Sequence, residues 1–331
     1  MSEGTTARDE GPDPSEPLHP QPPTPLPEPE KKRSRTSELT RRWLTAAVLV
    51  PIVVYIIALG GIPYLAVVTI FIVLGQREFY GLIEDKGAHP LVGLGLGAGA
   101  ALPLVAYVGN AYHATLLMTA SLLVLMLAQL RKAQITEALA SISGTFFGVF
   151  YVGWLLSHAI GLRFFTSAAL SMYPPEDLLF VELSPDSGIF FMLYTLTAVV
   201  WCDAGAYFAG RAYGRRKLAP NISPGKTVEG ALGGVLAGTA GGLVTKLLFD
   251  TFWPELSAAL PWGPTLLFGV AISLVAIMGD LVESLLKRDA AVKDAGALLP
   301  GMGGILDRID SPLLAIPVMY YMLLGYLFLR I

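Results

Sequence analysis

Long apolar runs alternate with short polar connections along most of this chain. A bilayer is crossed by about 20 apolar residues in a helix, because only a helix satisfies its backbone groups within one segment in lipid. The runs predict nine membrane-spanning helices, over 43–59, 62–80, 91–108, 114–130, 139–161, 188–209, 229–249, 264–284 and 312–330. Glycines and short linkers blur the ends of the third and fourth. Pro51, Pro103 and Pro317 fall inside spans, where they kink a helix without ending it. The fold class read from this pattern is all-α, a polytopic membrane bundle.

Basic residues orient it. Lys31, Lys32, Arg33, Arg35, Arg41 and Arg42 precede the first span, which places the N-terminus in the cytoplasm. The nine-span pattern then puts all but three of the 23 basic residues on that side. The exceptions are Arg163, Lys246 and Arg330.

Residues 1–38 follow another regime. The stretch PDPSEPLHPQPPTPLPEPE has no apolar period and should be a disordered, solvated tail. It lacks the apolar centre of a signal peptide. Residues 39–200 read as N-terminal membrane helices, and 201–331 as a membrane region carrying a polar site.

Composition agrees. The chain is 53% hydrophobic and 15% charged, against about 25% charged in soluble domains. Its net charge of −3 says little, because the acidic tail masks a basic remainder. A single cysteine, Cys202, excludes an internal disulfide framework and any cysteine-cluster metal site.

Two polar constellations stand out. In WCDAGAYFAGRAYGRRKLAPNISPGKTVEG (201–230), Asp203, Tyr207, Gly210 and Gly214 recur at helical spacing and share one face. Asp203 lies within an apolar run, where a charge costs roughly 2.5–3.5 kcal/mol on insertion scales. It should therefore face a cavity or a partner. SPGKT then places hydroxyls and a lysine before a helix beginning near Val228. A helix N-terminus beside a lysine can hold an anion, although the spacing of a Walker A loop is absent. The plainer alternative is a basic loop with Thr227 as a helix cap.

The second constellation, GDLVESLLKRDAAVKDAGALLPGMGGILDRIDS (279–311), crowds charge between two apolar segments. Asp280, Ser284, Lys287 and Arg288 stand on one helical face. Lys293 and Asp294 follow, then a PGMGG turn, then Asp307, Arg308 and Asp310. Hard cations such as Mg²⁺ take oxygen ligands, typically one or two carboxylates plus substrate phosphates. Asp280, Asp307 and Asp310 beside four cations fit that arrangement. Plainer readings make Asp310 a helix N-cap and Lys287 and Arg288 membrane-surface anchors. Glu283 points to another face and reads as an ordinary ion-pair partner.

These residues resemble the phosphatidate cytidylyltransferase (CDP-diacylglycerol synthase) family. Its S-x-x-K-R-x4-K-D element appears as SLLKRDAAVKD at 284–294, and its P-x-H-G-G-x-x-D-R-x-D element as PGMGGILDRID at 300–310. The upstream D-x-x-x-Y-x-x-G-x-x-x-G and S-P-x-K-T-x-E-G elements match at 203–214 and 223–230. One departure is Met302, where the family has histidine; methionine can neither carry a proton nor bind Mg²⁺ well.

The resemblance implies nucleotidyl transfer from CTP to phosphatidate, giving CDP-diacylglycerol and pyrophosphate with Mg²⁺, as two cations. Metal binding would fall to Asp280, Asp307 and Asp310. Lys287, Arg288, Lys293 and Arg308 would neutralise phosphates. Asp203, Ser223, Lys226, Thr227 and Glu229 would form the opposite wall, with Ser284 and Asp294 also at the substrate. The expected setting is multi-pass in the inner (cytoplasmic) membrane, the site facing the cytoplasm. No nucleic-acid partner is expected, and a homodimer stays open. The alternatives are transfer to another lipid, a CTP-dependent lipid kinase or, on weaker grounds, a lipid transporter.

Overall fold

With no water to satisfy backbone groups, an apolar segment in lipid closes its hydrogen bonds within itself. The computed structural model is accordingly helical nearly throughout. It describes residues 49–109, 111–132, 136–174, 181–296 and 303–330. The N-terminal tail, the basic cluster before the first span and Met302 lie outside them.

In chain order the helices are α1 (Leu49–Leu59), α2 (Gly61–Asp85), α3 (Val92–Val108), α4 (Ala111–Leu130), α5 (Ala138–Arg163), α6 (Phe165–Leu170) and α7 (Ser187–Tyr213). A hairpin of β1 (Lys217–Ala219) and β2 (Ser223–Thr227) follows, then α8 (Val228–Phe252), α9 (Pro254–Ser257), α10 (Trp262–Asp289) and α11 (Leu306–Arg330). Among the described residues, seven helices are long and apolar enough to cross a membrane: α2, α4, α5, α7, α8, α10 and α11. The protein is an all-α polytopic integral membrane protein.

The predicted first and third spans coincide with the shorter apolar helices α1 and α3. The beginning of the first lies outside the described residues. The third is a 17-residue helix with Pro103 inside it. α10 continues past its predicted end to Asp289, its last turn carrying Lys287 and Arg288, where cations suit the negative end of the helix dipole.

Val50–Ile331 forms one compact unit, and α7 runs unbroken through positions 200 and 201. In lipid, helices are held less by apolar burial than by close packing of small residues. α7 and α8 show this: a Cβ at Gly205 would come 2.3 Å from the Ala237 Cβ and 2.7 Å from the Gly233 carbonyl. α11 is central, with Leu313, Ala315, Ile316 and Met319 buried. Within α5, Val149–Trp154 is a π-helical stretch, a local widening frequent at functional sites. Tyr151 on it is buried.

The three bases that broke the orientation pattern are occupied by the fold. Arg163 donates from Nε to the Ile57 carbonyl (2.6 Å) and pairs with Asp186 (3.2 Å), tying the end of α1 to α5. Lys246 is buried, paired with Asp250 at 2.6 Å and bonded to the Ser257 carbonyl. Arg330 lies over the Tyr326 ring.

The hairpin was not expected. β1 and β2 pair antiparallel, with Lys217 opposite Thr227 and Ala219 opposite Ser223. SPGKT is therefore strand, and α8 begins at Val228 as its sequence predicts.

Candidate active site

Thr227 ends β2 and opens α8: its hydroxyl accepts the Gly230 N–H at 3.1 Å, as an N-cap should. One residue earlier the strand projects Lys226, whose Nζ lies 2.8 Å from Asp280 Oδ1 on α10. The two polar constellations are thus one site. Between them is a cavity of about 510 Å³ lined by Asp203, Tyr207, Ser223, Lys226, Thr227 and Asp280, among others, a volume typical of small-molecule sites. Asp203, Tyr207 and Gly210 share a face of α7 as their spacing predicts. Gly214 lies one residue past the helix end.

α10 and α11 cross at Gly279, where an added Cβ would stand 2.6 Å from the Asp310 carbonyl. That closeness gathers three carboxylates. Asp280, Glu283 and Asp310 offer oxygens all within 4.8 Å of one another. At an effective dielectric of ~20, each pair of such charges repels by roughly 3–4 kcal/mol, so the cluster needs positive charge. Lys287 supplies some, 2.6 Å from Glu283 Oε2. Yet Glu283 Oε1, the Ser311 hydroxyl and the Tyr151 hydroxyl are all buried without a hydrogen-bond partner among the described residues. An oxygen-only donor set with unspent buried acceptors fits a hard divalent cation.

The Cytidylyltransferase family profile matches residues 40–326. The chain belongs to the cytidylyltransferase family. A phosphatidate cytidylyltransferase of Synechocystis sp. (strain ATCC 27184 / PCC 6803 / Kazusa) is 34% identical over 296 residues, 85% of this chain and 95% of that protein. Phosphatidate cytidylyltransferases of Haemophilus influenzae and Bacillus subtilis are 43% and 42% identical over 142 and 136 residues. Those matches cover 41% of this chain in each case, and 46% and 48% of the two relatives.

The remaining predicted residues of this cytidylyltransferase take several places. Asp307 adjoins the acidic cluster, sharing the Lys287 ammonium with Glu283. It pairs with Lys287 at 2.8 Å and accepts N–H bonds from Gly304 (2.7 Å) and Ala295 (3.2 Å). Glu283, read as an ordinary ion-pair partner, does pair with Lys287 and also takes the third position in the cluster; it is only 1% exposed. Asp310 is not an N-cap, because α11 begins a turn earlier at Leu306.

Glu229 is engaged by the backbone, accepting from the Arg215 and Arg216 amides at 2.9 and 3.1 Å. Ser284 is half-buried one turn beyond Asp280. Arg288 reaches the hairpin, donating to the Ile222 carbonyl at 3.3 Å. Lys293, Asp294 and Arg308 are exposed. Tyr151 carried no sequence signal, being one aromatic in an apolar run.

Proposed function

We propose that the protein is a CTP:phosphatidate cytidylyltransferase. The observation that carries this reading is the Lys226–Asp280 contact, which sets an anion-binding strand–helix junction against an acidic cluster. A phosphate oxygen of phosphatidate attacks the α-phosphorus of CTP. A new P–O–P bond forms as the α–β bridge breaks, and pyrophosphate leaves with the electron pair. A phosphate monoester already carries negative charge near neutral pH, so no general base is required and Met302 is compatible with activity. The barrier lies in bringing anions together and stabilising the leaving group.

Lys226, on the wall of the cavity, would hold CTP phosphates there. Lys287 would meet charge developing on the far side, and Arg288 would brace the hairpin over the site. Asp280, Glu283 and Asp310 would hold Mg²⁺, which when bound shields the phosphates and polarises the α-phosphoryl group. The reading places the site at the cytoplasmic face of the inner membrane. In its support, the bases predicted on the other side are engaged by the fold, while Arg211 and Lys226 of the first polar segment line the cavity.

The test is purified protein in mixed micelles with phosphatidate, Mg²⁺ and CTP labelled at either the α- or the γ-phosphate. Lipid labelled from the α position, with labelled pyrophosphate from the γ position, is the expected result. Lipid labelled from the γ position would instead mark a kinase.

A further inference from the structure

Glu78 lies on α2, in the half of the chain to which the sequence assigned no chemistry. It is 7% exposed, and among the described residues no lysine or arginine pairs with it. Its Oε2 accepts the N–H of Leu306 at 2.8 Å across 228 residues of sequence. Leu306 opens α11, so its N–H is one of the donors that a helix start leaves unsatisfied. A carboxylate there also suits the positive end of the helix dipole.

Two glycines of the α10–α11 connection pack against the carboxylate. A Cβ at Gly296 would come 2.4 Å from Oε1, and one at Gly304 would come 2.4 Å from Oε2. Gly304 in turn donates to Asp307, Asp307 pairs with Lys287, and Lys287 with Glu283. Asp310 sits one turn further along the same helix.

We propose that Glu78 is a positioning residue for the reaction: by capping Leu306 and seating Gly296 and Gly304, it sets where α11 begins and so where Asp307 and Asp310 stand. A buried acid on a remote helix is a costly way to fill space, since an uncompensated carboxylate is expensive in apolar surroundings. Oε2 accepts that one specific amide, while Oε1 is buried with no hydrogen-bond partner among the described residues. The inference rests on the cytidylyltransferase reaction proposed above, because its kinetic readout is that turnover.

The experiment compares full-length wild type with Glu78→Ala, Glu78→Gln, Gly304→Ala and the Glu78→Ala/Gly304→Ala double variant. Each is assayed for kcat and for the KM of CTP, with turnover expressed per folded protein. Glu78→Ala should lower kcat about 100-fold, the loss expected from an ångström-scale displacement of catalytic groups. KM for CTP should stay within about twofold, because the Lys226 wall is untouched. Glu78→Gln should restore most of kcat, since its amide oxygen still accepts from Leu306. Gly304→Ala should reproduce the loss, and the double variant should be no worse than either single change.

Wild-type kcat in Glu78→Ala, a Gln variant as impaired as the Ala variant, or additive losses in the double variant would each overturn the proposal. Hydrogen exchange over 303–310 supplies a readout independent of turnover. The Leu306 amide should be protected in wild type and Glu78→Gln and exposed in Glu78→Ala; equal protection in all three would overturn the proposal even if the substrates had been misassigned.

Discussion

Lys226 Nζ lies 2.8 Å from Asp280 Oδ1, so a residue leaving a two-stranded hairpin touches one near the cytoplasmic end predicted for α10. Both side chains are partly exposed, and the pair contributes little to stability. Its value is to set a cation and an acid on facing walls of one cavity. Lys226→Ala should raise the KM of CTP about 10- to 100-fold, the worth of one hydrogen bond to a charged group, with the melting temperature nearly unchanged. Steady-state kinetics over a CTP series decide the matter. An unaltered KM would remove Lys226 from the nucleotide wall.

Glu283 and Asp307 can be separated by their metal dependence. Glu283→Gln should shift the Mg²⁺ concentration for half-maximal activity upward by at least about tenfold, the scale seen when metal-site carboxylates or their supports are altered. Asp307→Asn should leave that midpoint nearly in place while lowering thermal stability, because Asp307 binds Lys287 and two backbone amides. The opposite pattern would return Asp307 to the metal site and exclude Glu283.

Tyr151 offers a test in which stability and activity part ways. Its buried hydroxyl has no hydrogen-bond partner among the described residues, and such a group costs about 1–3 kcal/mol. Tyr151→Phe should therefore melt at the same or a higher temperature, yet turn over more slowly if the hydroxyl serves a ligand of the acidic cluster. Unchanged kcat and KM would show that the π-helical stretch only packs.

Gly279→Ala probes the crossing of α10 and α11. The new methyl would stand 2.6 Å from the Asp310 carbonyl and 3.1 Å from the Ser311 Cα, both on backbone that cannot swing aside. Overpacking of this kind costs about 1–3 kcal/mol. Thermal unfolding in detergent should show the loss, accompanied by a raised Mg²⁺ requirement as Asp280 and Asp310 separate. A variant with unaltered stability and metal dependence would argue against so close a crossing.

Much of this was legible in the chain. Apolar runs near 20 residues in a medium without water have one local solution, so α2, α5, α7, α8, α10 and α11 follow from composition and length. Helical spacing likewise put Asp280, Ser284 and Lys287 along one helix, and the cap at Thr227 and start of α8 at Val228 follow from local chemistry. The hairpin was not legible, because 217–227 lacks the two-residue alternation of a strand and holds proline and glycine.

The sequence by itself determined the helical membrane architecture and which two segments concentrate polar and charged residues, since backbone satisfaction and the cost of charge in lipid are local constraints. Tertiary structure alone decided which acids meet. The rotation of α10 against α11 turned Glu283 toward Asp280 and Asp310, Lys287 tied Asp307 to Glu283, and Glu78 found its partner on a helix at the far end of the chain. Such choices depend on how helices pack, and helix packing is a property of surfaces that periodicity cannot specify.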